Sequence, residues 1–384
     1  MNKIKILIFS VSIGTGHDSV ANSLGQSLLE RFPDSEIRIV DTFQYINSVL
    51  HKVVVGSYME TLRFTPKVWG YLYDQAEDGL ALVDLGQILY KLLSPKLKHL
   101  LDDFQPDLIV TTHAFPTGML SVLKEKGLLK VPLVAVITDF HVHPFWIRPG
   151  VDLFFIPVED LSYPLIQAGI GPERIRAVGI PIRSQFNRTI EPQKAKKKLG
   201  LGPLPTILIM GGGLGMGRLE LIAKEILQAE EFQVIVITGK NKRLHTTLSS
   251  LNNPRLKLLG YVDNIAEVMA AADLIISKPG GVTTAEVLAM KKPLIIYSSL
   301  PGQEDRNTYY LLNKGAAIKV RTLEQLIPEI SSLWQNKLRL KQMQEMAEHL
   351  GSPASSSLFW DNVWPLLGQD GTSEPIIASN TSSH

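Results

Sequence analysis

Apolar and polar positions along this chain fall into two successive series of the same kind. In the first half, short runs rich in Ile, Val and Leu occur at Ile4–Phe9, Ile37–Val40, Leu108–Thr111, Leu133–Thr138 and Leu153–Pro157. Each is followed by a polar or glycine-bearing turn and then usually by an amphipathic segment. A second series runs through Thr206–Met210, Gln233–Ile237, Leu256–Leu258, Leu274–Ser277 and Leu294–Tyr297. Unbroken apolar runs bounded by turns are what strands covered on both faces require, and their alternation with helical patterns predicts parallel sheets. The fold class is therefore α/β, with two Rossmann-like, doubly wound domains facing a cleft.

The 384 residues suit two domains of ~150–200 residues each. The turn formers Gly200, Gly202, Pro203 and Pro205 and the lysines Lys194, Lys196, Lys197 and Lys198 mark the boundary. We place a first domain at 1–185, a linker at 186–203 whose lysines face water, and a second domain at 204–350. A C-terminal helix at 351–367 is expected to cross back to the first domain, and the Gly-, Ser- and Thr-rich tail 368–384 is expected to be disordered. One stretch breaks the alternation. Between Asp41 and Phe104 no strand is evident, and Tyr45, Tyr58, Phe64, Trp69, Tyr71 and Tyr73 interleave with Lys52, Arg63 and Lys67. Mixed apolar, aromatic and basic residues suit either a membrane-interface segment or a pair of helices packed into the first domain.

Composition excludes more than it selects. Hydrophobic residues make up 45% and charged residues 20%, ordinary for a globular chain. The net charge of +2 hides an asymmetry, because residues 1–180 carry 16 Lys+Arg against 19 Asp+Glu, and residues 181–384 carry 23 against 18. A positive second half suits an anionic ligand or an anionic membrane surface, and also suits scattered solvated lysines. With no cysteine, disulfides, thiolate nucleophiles and cysteine-based zinc sites are ruled out. No signal-peptide pattern and no long uncharged apolar stretch is present, so the expectation is a soluble or peripheral cytoplasmic protein.

Five motifs carry candidate chemistry. The run Gly211-Gly212-Gly213-Leu214-Gly215-Met216-Gly217 follows a strand and precedes a helical stretch, where close backbone approach and a helix N-terminus favour a phosphate. It lacks the Gly-Lys-Ser/Thr ending of a P-loop. Ser277-Lys278-Pro279-Gly280-Gly281-Val282-Thr283-Thr284 is a second such turn and opens a helix bearing Glu286. A carboxylate there can accept both hydroxyls of a ribose diol, or simply complement the helix dipole by ~0.3–1 kcal/mol. Pro301-Gly302-Gln303-Glu304-Asp305-Arg306-Asn307 follows the next strand, at the end of the sheet where such folds bind ligands, and its Gln303 and Glu304 suit sugar hydroxyls. Gly14-Thr15-Gly16-His17-Asp18 places His17 near a helix N-terminus, which favours the neutral imidazole and a base role. Finally, Thr138-Asp139-Phe140-His141-Val142-His143-Pro144-Phe145-Trp146, together with Thr112-His113, lines the same strand ends. Asp139 is expected to orient a base or acceptor, and the His141/His143 pair has no third ligand set by spacing. No nucleophilic triad or nucleic-acid module is evident.

Taken in order, these motifs resemble the lipid glycosyltransferases that include bacterial processive diacylglycerol glucosyltransferases, plant monogalactosyldiacylglycerol synthases and, more distantly, the peptidoglycan lipid-intermediate enzyme. The resemblance covers roughly residues 4 to 350. Its most specific pieces are Gly14-Thr15-Gly16-His17, Thr138-Asp139-Phe140 with His143-Pro144 and Trp146, Gly179-Ile180-Pro181-Ile182-Arg183, Lys278-Pro279-Gly280-Gly281 with Glu286, and Pro301-Gly302-Gln303-Glu304 with Asn307. It implies the GT-B fold and an inverting single displacement, with no cofactor and no metal. His17 would be the base, assisted by Asp139 or by Asp18. Gly16, Gly212, Gly213, Gly215, Lys278, Gly280, Gly281 and Thr283 would hold the diphosphate of a UDP-sugar, and Glu286 its ribose. Gln303, Glu304 and Asn307 would hold the sugar, and the backbone near Tyr261 and Val262 the uracil. Tyr58, Phe64, Trp69, His113, His143 and Trp146 would meet a diacylglycerol or glycolipid acceptor and an anionic membrane surface, placing the enzyme on the cytoplasmic face of the membrane. Asp18, after His17, departs from many relatives. A polyprenyl-linked or already glycosylated acceptor, a UDP-sugar epimerase and a non-catalytic UDP-sugar sensor are the competing readings.

Overall fold

In the computed structural model, which describes residues 3–12, 14–46, 88–229 and 231–368, each half of the chain forms one six-stranded parallel sheet. The first domain contains β1 (Lys5–Ser10), β2 (Glu36–Asp41), β3 (Leu108–Thr111), β4 (Leu133–Val136), β5 (Leu153–Ile156) and β6 (Ile175–Ala177), in the order β2-β1-β3-β4-β5-β6. The second contains β7 (Thr206–Met210), β8 (Gln233–Ile237), β9 (Leu256–Leu259), β10 (Leu274–Ser277), β11 (Leu294–Tyr297) and β12 (Ala317–Val320), in the order β12-β11-β10-β7-β8-β9. Strands β3, β4, β5, β7, β8, β10 and β11 are buried at every residue, which is why they read as unbroken apolar runs.

Two strands carry no such run. Only one of the three residues of β6 is buried, and β12, Ala-Ile-Lys-Val, has a half-buried middle pair. Both are edge strands, covered on fewer sides, so packing asks less of their sequence. β4 ends at Val136, leaving Thr138 in the loop that follows.

Each strand order reverses once, between β1 and β3 in the first sheet and between β7 and β10 in the second. At a reversal, neighbouring connections leave in opposite directions and open a crevice at the carboxyl ends of the strands. The loops beginning at Gly14, Thr112, Gly211 and Lys278 all start at these two points. Topology thereby puts four of the sequence motifs at two facing mouths.

Of the strandless segment, the structure describes the short helix Thr42–Ile46 and the chain from residue 88 onward; Tyr58, Phe64 and Trp69 lie outside the described residues. Tyr90 is keyed into the first domain, where a Cβ on Gly118 would lie 2.5 Å from its ring. Its helical neighbours point the other way, Ile88 being 63% and Leu92 70% exposed. The lysine-rich helix Pro192–Lys198 docks on the second domain through Lys196, 2.7 Å from Asp273, and Lys198, 2.8 Å from Glu267. The linker is thus partly anchored rather than wholly solvated.

The domains share one continuous core, closed by helix Ser355–Val363. Phe359 packs on Phe155 of β5 at 4.4 Å, Trp360 donates its indole N–H to the Leu24 carbonyl at 3.1 Å, and Trp364 stacks on Phe32 at 4.1 Å. Ser352 and Ser356 donate to the carbonyls of Val178 and Ile182. The chain therefore ends its second domain by completing its first. Trp360→Ala removes a fully buried indole and should destabilise the fold by ~3–5 kcal/mol. Urea unfolding should show this as an earlier midpoint, and an unchanged midpoint would mean the helix contributes nothing.

Candidate active site

The loops beginning at Gly14, Gly211 and Lys278, with the loop after β4 at Thr138 and Asp139, face one another across a cleft of about 580 Å³, within the roughly 300–1,000 Å³ typical of small-molecule sites. On the first-domain side, the chain turns through Gly14 at φ +81° and enters helix α1 (Gly16–Arg31), so that His17 sits in its first turn. His17 Nδ1 lies 2.7 Å from the Thr112 carbonyl and 3.2 Å from Thr138 Oγ1. A carbonyl can only accept, so Nδ1 carries the proton and Nε2 keeps its lone pair. Burial pulls the His17 pKa below its usual 6.5, against the opposing pull of Asp139, the Thr112 carbonyl and Asp18. The side chain is a neutral base at pH 7. Asp18 is tied back to the end of β1 by the Ser10 hydroxyl at 2.6 Å, so it serves the local turn first and the base only weakly.

On the other side, helix Gly281–Ala289 opens onto the cleft with Gly280 as its N-cap and no side chain capping it. Uncapped N–H groups at a helix N-terminus are a ready anion site. Gly280 has nothing within 4 Å of a would-be Cβ, leaving its backbone open to a ligand. The glycine run 211–217 contributes differently. Its Gly215 and Met216 N–H groups donate inward to the carbonyls of Gly212 and Gly211 at 3.0 and 2.9 Å, and the following helix starts only at Leu219. This run is a closed loop standing off the helix, with Gly212 and Gly213 at the cleft.

Charges in the cleft come in compensated pairs. Lys278 Nζ is 2.7 Å from Glu304 Oε1, and the other oxygen of Glu304 accepts the Leu300 N–H at 2.7 Å. Glu286 is 7% exposed and 3.4 Å from Arg183 Nη2. Burial raises its carboxyl to about 7, with Arg183 pulling the other way. Arg183 also donates to the Asp263 carbonyl at 3.0 Å. At the far end, Tyr261 is 57% exposed with Lys240 Nζ 5.9 Å from its ring centroid, a flat, wet surface on which a base can stack.

The structure brings together at the cleft His17, Asp139, Gly16, Gly212, Gly213, Tyr261, Val262, Lys278, Gly280, Gly281, Thr283, Glu286, Gln303 and Glu304. Other expected residues do different work. Gly215 does not line the cleft; at φ +59° it sits where a Cβ would meet the Thr238 carbonyl at 2.1 Å, so it seats the loop on the end of β8. Asn307 is fully buried and joins the two domains rather than facing a sugar. His143 and Trp146, expected at the acceptor, are 6% and 5% exposed; His143 Nδ1 accepts the Phe145 N–H at 3.2 Å and Trp146 belongs to the first-domain core. His113 caps helix Ala114–Glu125 through the Phe115 N–H at 3.0 Å and meets the His17 ring edge-on at 4.7 Å. It buttresses the His17 ring and is absent from the cleft wall. Arg183, to which the sequence motifs give no role, also lines the cleft; nothing in its neighbourhood announces Glu286, 103 positions away. Among the described residues, no three His, Asp or Glu side chains converge on a metal-sized gap.

Comparison with known proteins fits this geometry domain by domain. Residues 17–182 match the model of monogalactosyldiacylglycerol (MGDG) synthase, and residues 206–357 match the glycosyltransferase family 28 C-terminal domain. The chain is 30% identical over 364 residues to the processive diacylglycerol beta-glucosyltransferase of Bacillus cereus, covering 94% of this chain and 93% of that one. The Bacillus subtilis enzyme of that name is 29% identical over 94% of both chains. The chain belongs to this family of lipid glycosyltransferases. Solved structures agree on the fold: S. aureus MnaA with UDP superposes with a TM-score of 0.60 at 14% identity, covering 95% of this chain and 97% of that one. Acinetobacter baumannii MurG gives 0.57 at 15% identity, covering 94% and 99%. The fold is GT-B, and within this lipid glycosyltransferase the cleft lies where the two halves of that fold meet.

Glu286 makes the site pH-sensitive in a defined direction. Its carboxyl ionises near 7 in the fold but near 4.3 when unfolded, so its burial costs nothing below about pH 4, costs progressively more as pH rises from about 4.3 to 7, and reaches a constant penalty above that. Glu286→Gln should therefore stabilise the unliganded protein by roughly 3–4 kcal/mol at pH 8 and by nothing at pH 4. Thermal melts across that range measure it; a pH-independent difference would show that Glu286 is not desolvated.

Proposed function

We propose that the protein is an inverting glycosyltransferase that moves glucose or galactose from a UDP-sugar to the hydroxyl of diacylglycerol. The observation that carries this reading is a neutral histidine, its proton fixed on Nδ1 by the Thr112 carbonyl at 2.7 Å, opposite an uncapped helix N-terminus flanked by Lys278 and Glu286. His17 Nε2 takes the proton of the acceptor hydroxyl. The oxygen attacks the anomeric carbon from the face opposite UDP, and the bond from that carbon to the β-phosphate oxygen breaks with its electron pair. Charge arriving on the diphosphate is met by the N–H groups from Gly280 onward, the helix dipole and Lys278, so no metal is needed for that work. Glu286 takes the ribose diol, and the face of Tyr261 the uracil. Attack by a hydroxyl of the newly added sugar would repeat the same step, which is what processive addition requires.

A lipid acceptor is favoured over the epimerase reading by the surface beside the first domain. Ile88, Leu89 and Leu92 are 63%, 42% and 70% exposed, next to exposed Lys91, Lys96 and Lys98. Apolar residues among lysines suit the interface of an anionic bilayer, and an epimerase has no use for one. We place the enzyme at the cytoplasmic face of the membrane, held peripherally there; among the described residues no helix is long and apolar enough to cross it.

His17→Ala should lower diacylglycerol-dependent UDP release by about 10²–10⁴-fold with UDP affinity retained; full turnover in that variant would remove His17 from the mechanism. Mass spectrometry of products formed from UDP-glucose and UDP-galactose identifies the sugar, and parallel reactions with polyprenyl-linked and glycosylated lipids test the acceptor. Ile88→Asp/Leu92→Asp should release the protein from phosphatidylglycerol-containing vesicles in a flotation assay while leaving UDP binding intact. Undiminished flotation would refute the membrane face assigned to this segment.

A further inference from the structure

Asn307 lies on helix Gln303–Asn313, is fully buried, and uses all of its hydrogen-bonding groups away from the cleft. Its Oδ1 accepts the Phe140 N–H at 2.7 Å, and its Nδ2 donates to Asp139 Oδ1 and to the Pro279 carbonyl, each at 2.9 Å. The orientation of the amide is fixed, since the Phe140 N–H requires an acceptor and the Pro279 carbonyl a donor. The same first-domain loop is gripped on either side of Asp139. A Cβ on Gly281 would lie 1.8 Å from the Thr138 carbonyl, so helix and loop touch backbone to backbone. The Phe140 ring stacks on Tyr310 at 5.5 Å, and the Tyr310 hydroxyl donates to Asp160 at 3.1 Å.

Thr138, Asp139 and Phe140 are therefore held in place by the second domain, yet Thr138 lies 3.2 Å from His17 of the first and Asp139 lines the same cleft and raises the His17 pKa by its charge. We propose that Asn307 is a positioning residue which, from the second domain, fixes the Asp139 carboxylate beside His17, so that the catalytic base is complete only when the two domains are closed. A carboxylate held by a buried amide keeps a constant place in the field felt by the imidazole; one free to rotate is hydrated and its field is screened. The other charged or titratable groups around His17 do not substitute for it. Asp18 on the same helix is engaged by Ser10, and His113 is held well below its usual pKa by burial. Lys278 and Glu304 across the cleft neutralise each other. Coupling of this kind would keep the base weak while the donor half of the site is apart.

The proposal rests on His17 being the base, and its test separates the two. Imidazole titration of the full-length protein by nuclear magnetic resonance, without donor, should show the His17 midpoint falling in Asn307→Ala, towards that of Asp139→Ala. In the Asp139→Ala background, Asn307→Ala should move it no further. Turnover should fall about tenfold through kcat, with its acid limb moved to lower pH and UDP affinity within about threefold of the parent. If Asn307→Ala does not fold, Asn307→Ser retains a hydrogen-bonding group in the gap and is read in the same way. An unmoved His17 midpoint, or a shift that adds in full to that of Asp139→Ala, overturns the proposal. Absence of turnover with every lipid acceptor would instead end the transferase reading and leave the titration result standing.

Discussion

The site depends on one contact, the backbone of Gly281 set against the Thr138 carbonyl with no room for a side chain between them. Through it the open N-terminus of helix Gly281–Ala289 reaches the loop that borders His17. Gly213 makes a similar approach at the other wall, where a Cβ would lie 2.8 Å from the Thr15 side chain. These glycines serve the fit between the domains as much as any phosphate. Around them, Asn307 joins loops of both domains and helix Ser355–Val363 fastens the second domain onto α1. The two walls of the cleft, one from each domain, come together only because the backbones can touch.

Electrostatics in the cleft follow from that closure. Each charge that would serve a nucleotide-sugar has a protein partner in its absence, Lys278 with Glu304 and Arg183 with Glu286. Pairing limits the penalty of burying charge but does not cancel it, as the raised pKa of Glu286 shows. A ligand presenting a diphosphate and a diol can take over part of both pairs. Stability is given up at the place where binding is needed, a common pattern at functional sites. His17 is tuned in the same currency, with burial depressing its pKa and Asp139 opposing.

The sequence by itself determined the two-sheet α/β architecture, because strands covered on both faces read as apolar runs and seven of the twelve are buried at every residue. It also located the glycine-bearing turns at the strand ends, since glycines that end a strand and open a helix have a local backbone reason to be there. The edge strands β6 and β12 escaped because they are short and mixed in polarity, whereas the other two edges, β2 and β9, keep enough Ile, Val and Leu to be read. What tertiary structure alone decided is the division of labour among polar residues that look alike in the chain. Asn307 and Glu304 sit three apart in one motif, yet one joins the domains and the other anchors Lys278. Gly213 and Gly215 sit two apart, yet only the first reaches the cleft. His143 and Trp146 look like cleft residues and are cap and core, while Arg183, at the end of the first domain, meets Glu286 of the second. Local sequence fixes backbone conformation over a few residues, whereas partners more than a hundred positions away are set by which strand ends the topology makes neighbours.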